Sequence, residues 1–327
     1  MTVPVLRALT KQHPKLTITV VSKAFLKPLF NDLPNVNFYT ADVKGTHKGI
    51  LGIFKLYREL QKKKITHIAD LHNVLRSKIL RFFFRFSNKK IATIDKGRTE
   101  KKALTRTDNK VFKQLKTSHQ RYADVFDKLG FKIDLYTPTE IEKPNTTTTV
   151  AKLLKGSSAH KIGFAPFAAY NSKMYPIELS KVVIQELAKT TTVYLFGGGT
   201  KEIEILTKIE HNTPNCISVA GKVTFAEELN IMAQLDCMIA MDSGNAHLAA
   251  MQQVPTITLW GTTHPYAGFA PFNQPKENCL LPDLKKYPKI PTSIYGNKII
   301  DGYEDVMKTI LPENVIKKVQ SVLKLNS

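Results

Sequence analysis

The chain has 327 residues, 43% of them apolar and 23% charged, and its 48 Lys and Arg against 27 Asp and Glu give a formal net charge of +21. This composition excludes a disordered chain and a collagen-like repeat, and the length favours two domains over one. The charge is uneven, because residues 1–150 contain 30 basic and 12 acidic side chains whereas residues 151–327 contain 18 and 15. We therefore expect the first half to meet an anionic partner.

Short β-branched apolar runs alternate with amphipathic segments along the chain, which predicts parallel strands covered by helices on both faces. The strands predicted in the first half are Leu16–Val21, Val36–Thr40, His67–Leu71 and Lys90–Asp95. Those predicted in the second half are Ile162–Phe167, Thr192–Phe196, Cys216–Val219, Met238–Met241 and Thr256–Trp260. The fold class is therefore α/β, with two doubly wound, Rossmann-like domains.

A polar run over residues 142–149 reads as an extended linker, so we predict domains at residues 1–145 and 155–327. Residues 263–297 contain six of the 17 prolines and predict a long loop of the kind that is usually functional. Residues 312–325 place apolar side chains on one helical stripe, which predicts a C-terminal helix packed on a domain.

The chain opens on residues 2–9, whose proline and apolar spacing predict a helix. Domains of this type normally open with a strand, because the first βα turn presents backbone N–H groups to a ligand. We therefore expect the first strand of the N-terminal domain to be missing from the chain as written.

The three cysteines, Cys216, Cys237 and Cys279, are widely separated and fit no metal-ligand or CxxC spacing. An odd number argues against a disulfide framework and favours a reducing compartment. No stretch approaches the roughly 18–20 apolar residues that span a bilayer, and the first 25 residues lack the apolar core of a signal peptide. We expect a cytoplasmic protein, with attachment to a membrane surface left open.

The sharpest local pattern is an apolar strand that ends in Asp242-Ser243-Gly244 immediately before a helix. The amides of Ser243 and Gly244 would lie at a helix N-terminus, where the dipole and the unpaired donors favour a diphosphate without any metal. His247, one turn further, could hydrogen-bond a phosphate or a sugar. An ordinary helix cap explains Asp242 and Ser243 about equally well, and a lone helix histidine is more often a packed residue.

Two other strand ends carry candidate residues at the same sheet edge. Lys173 lies in a loop of small residues after Phe167, where it could meet a phosphate, although a solvated loop charge is the commoner role of such a lysine. Gly197 and Gly198 join a strand to a helix without matching GxGxxG. Glu202 would lie close enough to bind a ribose or base, but the helix dipole alone also selects an acidic residue there.

In the basic half, residues 69–78 join a strand to a helix and include Asp70, His72 and Arg76. Further basic side chains follow, interleaved with the aromatic run Phe82-Phe83-Phe84-Arg85-Phe86. Such a stripe could contact the phosphates of a lipid or of a nucleic acid. We expect the phenylalanines to belong to the core rather than to anchor a membrane. Zinc, EF-hand, P-loop and nucleophile-elbow patterns are absent from the sequence.

Taken together, these segments resemble the bacterial lipopolysaccharide heptosyltransferases of glycosyltransferase family 9, over nearly the whole chain. Residues 2–9 look like the first helix of the family, and residues 70–77 look like its Asp-Leu-His…Leu-Arg-Ser segment. Lys173 before an aromatic residue and Pro176 matches the loop whose lysine contacts the donor diphosphate. Asp242-Ser243-Gly244-x-x-His247, followed by a strand that ends at residues 259–263, matches its most specific motif.

The resemblance implies the GT-B fold and an inverting, metal-independent glycosyl transfer without a cofactor. A heptose or related sugar would pass from an ADP-sugar to an acidic, lipid-linked lipopolysaccharide core acceptor. The basic N-terminal domain would bind the acceptor and the inner leaflet of the inner membrane, where the protein would be peripheral on the cytoplasmic face, with no nucleic-acid partner. Lys173 would be catalytic, by neutralising the leaving diphosphate. The implied donor-binding residues are Asn171, Lys173, Gly197, Gly198, Glu202, Val223, Asp242, Ser243, Gly244 and His247, and the implied acceptor-binding residues are His72 and Arg76.

Two positions depart from the family pattern. Ala168 and Ala169 stand where relatives commonly carry hydroxyl residues. The acceptor-activating aspartate of the family lies in a Gly-Asp turn before the first helix, so we expect the general base to lie upstream of Met1 and the chain as written to be catalytically impaired. The alternatives are a transferase that uses another nucleotide sugar in surface-polysaccharide synthesis, an inactive relative that binds donor or lipid, and a basic nucleic-acid-binding protein.

Overall fold

The computed structural model describes residues 1–138, 141–155 and 158–324. The helices are α1 (Thr2–Gln12), α2 (Gly49–Gln61), α3 (Leu75–Phe84), α4 (Arg98–Thr105), α5 (Ser118–Lys128), α6 (Thr148–Leu154), α7 (Ile177–Leu187), α8 (Thr200–His211), α9 (Phe225–Ala233), α10 (Gly244–Met251) and α11 (Pro312–Leu323). The strands are β1 (Ile18–Ser22), β2 (Val36–Thr40), β3 (His67–Asp70), β4 (Lys90–Thr93), β5 (Lys161–Ala165), β6 (Thr192–Leu195), β7 (Cys216–Ser218), β8 (Cys237–Met241), β9 (Thr256–Leu259) and β10 (Cys279–Leu280).

The predicted strands are all present, and among the residues described the short β10 is the one strand that was not predicted. The helix predicted at the start is α1, and the predicted C-terminal helix is α11, whose expected end at Leu325 lies outside the described residues. The predicted linker begins without regular secondary structure, and α6 starts within it after Thr147, whose hydroxyl accepts a hydrogen bond from the Val150 amide. The strand expected ahead of α1 remains a prediction.

The chain forms two compact units, Met1–Gly97 with Ser118–Thr139 and Arg98–Thr117 with Glu140–Ser327. This division differs from the boundary that we predicted, because Arg98–Thr117 belongs to the second unit. Leu104 and Leu115 pack with Ala267 of the long loop, and the Leu115 amide donates to the Tyr266 carbonyl. The apolar side chains of this segment thus find their partners in the loop of the second unit.

The second unit contains a six-stranded parallel sheet in the order β10-β9-β8-β5-β6-β7. Strand β5 lies at its centre, where Ile162 pairs with Val193 on one side and Cys237 on the other. Side chains of β5, β6, β8 and β9 are almost entirely buried, as expected for a parallel sheet covered on both faces. The chain order reverses at β5, so the carboxyl ends of β5 and β8 form the switch point at which ligands bind in such sheets.

The first unit does not form the single doubly wound sheet that we predicted. Its strands form two separate parallel pairs, β1 with β2 and β3 with β4, among the residues described. The pairs share helical cover, since Leu56 and Leu60 of α2 and Phe84 of α3 pack with Tyr39 of β2 and Ile68 of β3. Most side chains of these strands are only half-buried, in contrast to the second unit.

The prediction that the phenylalanines at residues 82–86 belong to the core is correct only for Phe84, which is 2% exposed. Phe82 and Phe86 are exposed by 55% and 80%. Successive residues of a helix point about 100° apart, so a run of adjacent rings cannot all face one core.

The buried loop residue His264 gives the fold a pH dependence. Its ring packs against Phe112 and Tyr266, and its Nδ1 atom accepts a hydrogen bond of 3.1 Å from the Tyr266 amide. Burial, aided by the charge of Lys110, lowers the pKa of His264 to about 4 from the ordinary value of 6.5. Below pH 6.5 the unfolded chain therefore takes up a proton that the folded protein excludes.

We expect the free energy of unfolding to fall by roughly 2 kcal/mol between pH 7 and pH 5 on account of His264 alone. His264→Asn keeps an acceptor at this position and removes the titration, so its urea-unfolding free energy should vary less with pH by that amount. Equal pH slopes in the two proteins would contradict the assignment.

Candidate functional site

The candidate site of the second unit lies at the carboxyl ends of β5 and β8, which are neighbours in the sheet. The chain leaving β5 makes a 3-10 turn over Asn171–Lys173, and the chain leaving β8 passes through Asp242 and Ser243 into α10. Sheet topology therefore brings together two segments that are about 70 residues apart in the sequence.

Lys173 and Asp242 form an ion pair at this edge of the sheet. The Lys173 Nζ atom lies 3.1 Å from Asp242 Oδ2, and their side chains are only 12% and 9% exposed. The same carboxylate oxygen accepts a 2.9 Å hydrogen bond from the Thr263 hydroxyl. The ammonium group is therefore held in one place and largely withdrawn from water, where charges are screened less than in bulk solvent.

The backbone around Lys173 is clamped by two glycines of distant loops. A Cβ atom on Gly261 would lie 2.0 Å from the Ser172 carbonyl oxygen, which also accepts a 3.0 Å hydrogen bond from the Thr262 amide. A Cβ atom on Gly296, whose φ is +82°, would lie 2.6 Å from the Lys173 stem. The Ser172 hydroxyl donates to the Gly296 carbonyl at 2.5 Å. These contacts fix the direction in which Lys173 extends.

Helix α10 starts without a side-chain cap. Ser243 occupies the N-cap position in an extended conformation, yet its hydroxyl accepts no bond from the first turn, and its buried Oγ atom has no hydrogen-bond partner among the described residues. Gly244 is exposed, and nothing within 4 Å would meet a Cβ atom there. The capping role that we weighed for Asp242 and Ser243 is therefore not realised, and the first amides of the helix stay available to an anion.

The glycine turn after β6 binds its own glutamate. The Gly198 amide donates a 2.8 Å hydrogen bond to Glu202 Oε2. Glu202 thus binds a backbone amide near the start of its helix, a structural role expected of an acidic residue in a first helical turn. Its carboxylate still borders the open space beside Gly198.

The strand ends border a cleft of about 400 Å³, within the size range of small-molecule sites. It is lined by Phe167, Ala168, Ala169, Gly197, Gly198, Glu202, Phe225, Glu228, Ser243, Gly244, Asn245 and Leu248. Five of the predicted residues are in this set: Gly197, Gly198, Glu202, Ser243 and Gly244. Sequence reasoning missed Phe225 and Glu228, which lie in the first turn of α9, and burial raises the pKa of the Glu228 carboxyl.

The other predicted donor residues do not line this cleft. Asp242 directly precedes the lining residue Ser243, and Lys173 is four residues after the lining residue Ala169. The half-buried His247 is one turn into α10. Asn171 is exposed at the start of its 3-10 turn. Val223 is half-buried just before Thr224, which caps α9. Glycine and acidic motifs mark backbone turns well, whereas lining by ordinary apolar residues leaves little trace in the sequence.

In the first unit, Asp70 holds the turn between β3 and α3. Its Oδ1 atom accepts hydrogen bonds from the amides of His72 and Asn73 at 3.0 and 2.7 Å, and its Oδ2 atom lies 2.8 Å from Arg81 Nε. Both oxygens of the Asp70 carboxylate are thus already engaged by neighbouring groups of the turn and of α3, which disfavours Asp70 as a general base. His72 and Arg76, the predicted acceptor residues, are both exposed at this turn.

Among the residues that the structure describes, no group of three His, Cys, Asp or Glu side chains could hold a metal ion. No helix in the described ranges is long and apolar enough to cross a bilayer.

Gly261→Ala tests the clamp on Lys173. The added methyl group meets a backbone oxygen, so we expect a loss of about 1–3 kcal/mol in the free energy of unfolding. Gly198→Ala is the matched control, because nothing lies within 4 Å of its Cβ position and its stability should hardly change. Chemical denaturation measures both, and equal stability of the two variants would rule out the close contact.

The chain resembles proteins of one family along nearly its whole length. Over an alignment of 354 positions it is 24% identical to "Lipooligosaccharide heptosyltransferase 2" of Haemophilus ducreyi, covering 96% of this chain and 93% of that protein. It is 25% identical to "Lipopolysaccharide heptosyltransferase 2" of Escherichia coli, covering 97% and 92%.

Solved structures share the fold. A family 9 glycosyltransferase from Veillonella parvula superposes with a TM-score of 0.73 at 22% identity, covering 99% of this chain and 93% of the other. E. coli ADP-heptose heptosyltransferase II gives 0.67 at 18% identity, covering 99% and 94%. The family description "Glycosyltransferase family 9 (heptosyltransferase)" matches residues 53–298, about three quarters of the sequence. The chain therefore belongs to glycosyltransferase family 9, the heptosyltransferase family.

Proposed function

We propose that this chain transfers a heptose from ADP-heptose to an acidic, lipid-linked lipopolysaccharide core acceptor, with inversion at the anomeric carbon and without a metal ion. The observation that carries the proposal is the Lys173–Asp242 pair at the switch point of the second unit, beside the uncapped start of α10. A cation and a row of free amides at one edge of a sheet are what a nucleoside diphosphate requires.

Relatives supply the choice of sugar. A structure titled as the E. coli heptosyltransferase WaaC with ADP-2-deoxy-2-fluoro heptose has a TM-score of 0.65 to this chain, at 16% identity. We propose the same class of donor here, held by the second unit of a GT-B fold. Glu202 would bind the ribose or adenine, and Asn171, Val223 and His247 remain proposed donor residues.

In the proposed reaction, the acceptor hydroxyl attacks the anomeric carbon from the face opposite the diphosphate. The new carbon–oxygen bond forms as the bond to the phosphate oxygen breaks, and ADP leaves with the bonding electrons. Lys173 and the amides of Ser243 and Gly244 stabilise the charge that develops on the leaving oxygen. Asp242, held by Thr263, keeps the Lys173 ammonium in position and acts as a positioning residue.

The acceptor side of the reaction is assigned to the first unit. His72 and Arg76, exposed near the carboxyl end of β3, are proposed to bind acidic groups of the acceptor. The proton of the acceptor hydroxyl would pass to a general base, which the resemblance to the family identifies as the aspartate of a Gly-Asp turn. The protein would work as a peripheral enzyme on the cytoplasmic face of the inner membrane, where a lipid-linked acceptor would be within reach.

A panel of nucleotide sugars tests the choice of donor. ADP-heptose at 100 times its dissociation constant should raise the free energy of unfolding by about 2.7 kcal/mol, seen as a higher melting temperature. UDP-glucose and UDP-N-acetylglucosamine at the same concentration should give little shift. A larger shift with a UDP-sugar would instead favour the alternative transferase of surface-polysaccharide synthesis.

Lys173→Ala tests the leaving-group role. We expect turnover, followed as ADP release, to fall about 10²-fold or more, because a preorganised charge is lost, and calorimetry should show weaker binding of ADP. Lys181→Ala removes a lysine whose exposed ion pair with Glu178 lies on the surface of α7, and should leave both quantities unchanged. Unchanged ADP binding and turnover in Lys173→Ala would remove Lys173 from the site.

A further inference from the structure

Helices α2 and α3 of the first unit present an exposed apolar face that the proposed chemistry does not use. Leu51 is 85% exposed and Ile50 64%, and Phe54, Phe82 and Phe86 are 41%, 55% and 80% exposed. We define these five side chains as the apolar face of the first unit. Contiguous exposed apolar side chains of this kind mark an interaction site more often than chance.

The aromatic members of this face are joined by ring contacts. The centroids of Phe54 and Phe83 lie 5.2 Å apart, those of Phe83 and Phe82 6.1 Å, and those of Phe82 and Phe86 5.6 Å. On α2, Ile50 and Leu51 precede Phe54 by four and three residues, which puts all three on one side of the helix. The face is therefore continuous across both helices.

Exposed basic side chains lie on the same two helices as the apolar face or directly beside these helices in the chain. Lys48, Lys55 and Arg58 are exposed on or just before α2, and Lys78 and Arg85 are exposed on α3 or just after it. Residues 74–90 contain no acidic residue, and residues 44–64 contain only Glu59. Glu59 is turned inward, where its Oε2 atom accepts hydrogen bonds from the Tyr39 hydroxyl and from His47 Nε2. The charge of this region is thus one-sided.

We propose that the apolar face docks the protein on an anionic phospholipid bilayer, with Leu51, Phe82 and Phe86 entering the boundary between headgroups and acyl chains. The inference rests on the proposed function, which places the acceptor in a lipid surface. Interfacial helices bind membranes through this combination of an apolar face and a basic border.

Charge complementarity and side-chain type select a bilayer over other occupants. A second copy of the chain would bring two basic borders together, and their repulsion opposes a dimer through this face. A nucleic acid would satisfy the basic side chains but offers nothing for the aliphatic Ile50 and Leu51, since its bases stack on aromatic rings. An anionic lipid surface meets both requirements at once.

Vesicle sedimentation of the full chain tests the proposal. We expect binding to phosphatidylcholine vesicles that contain 30% phosphatidylglycerol to be at least about tenfold tighter than to pure phosphatidylcholine, and to weaken as salt is added. Equal binding to both vesicle types, or none to either, would overturn the proposal.

Two double variants separate the apolar and electrostatic contributions. Leu51→Ser with Phe86→Ser, and Lys55→Glu with Lys78→Glu, should each weaken binding to the acidic vesicles about tenfold or more. The matched controls in the second unit are Ile299→Ser, an apolar side chain that is 50% exposed, and Lys317→Glu, an exposed cation on α11. Controls that weaken binding as much as the paired variants would contradict a defined face.

Three companion measurements assign the result. Melting temperatures of the variants should match the parent, since the substituted residues are exposed. If light scattering shows a dimer that is lost in the double variant Leu51→Ser with Phe86→Ser, the face binds a second copy of the chain. If a labelled DNA duplex binds tightly and its binding requires Phe86, the face binds nucleic acid. Either result would overturn the assignment to a bilayer. ADP-heptose binding should be unchanged in every variant. Vesicle binding without ADP-heptose binding would support the docking face and contradict the proposed function. ADP-heptose binding without vesicle binding would contradict only the docking face.

Discussion

A lysine ammonium that is nearly withdrawn from water needs a carboxylate beside it, and the second unit meets that need by sheet topology. The order of the strands makes β5 and β8 neighbours, so Lys173 after one strand meets Asp242 after the other. The Thr263 hydroxyl, beyond the end of a third strand, binds the same carboxylate oxygen. Three separate segments therefore depend on one carboxylate, and the glycines that allow their backbones to approach are part of the same arrangement.

Much of this could be predicted because the pattern is local. Each buried strand of the second unit is a short apolar run, Gly197 follows soon after β6, and Asp242 follows directly after β8. Parallel strands place such ends on one edge of the sheet. The first unit was harder. Its strands carry the same residue types, yet among the described residues they form two pairs and remain half-buried. This was hard to predict because the sequence of a strand does not specify which distant strand it pairs with.

Two features that the sequence patterns did not reveal depend on contacts between residues far apart in the chain. Arg98–Thr117 contains nothing that announces a partner more than 150 residues away, although Leu104 and Leu115 pack on the loop that contains Ala267. The apolar lining of the cleft from α9 was missed for the same reason. Phenylalanines in a row suggested a core, and only the structure shows that Phe82 of α3 and Phe86 just after it are exposed. The uneven distribution of basic residues is visible without any structure, and the anionic partner that it predicts for the first half stays a prediction.

The ring contacts of the first unit also bear on entropy. From the buried Phe84, contacts pass through Tyr57 at 4.8 Å and on to Phe83 at 5.7 Å, and so reach the exposed rings. A side chain wedged against its neighbours has already given up most of its rotamer freedom when the protein folds. Such a ring therefore loses little further side-chain entropy when it binds a partner. A few rings that are already ordered can then bind more tightly than the same rings on a flexible loop.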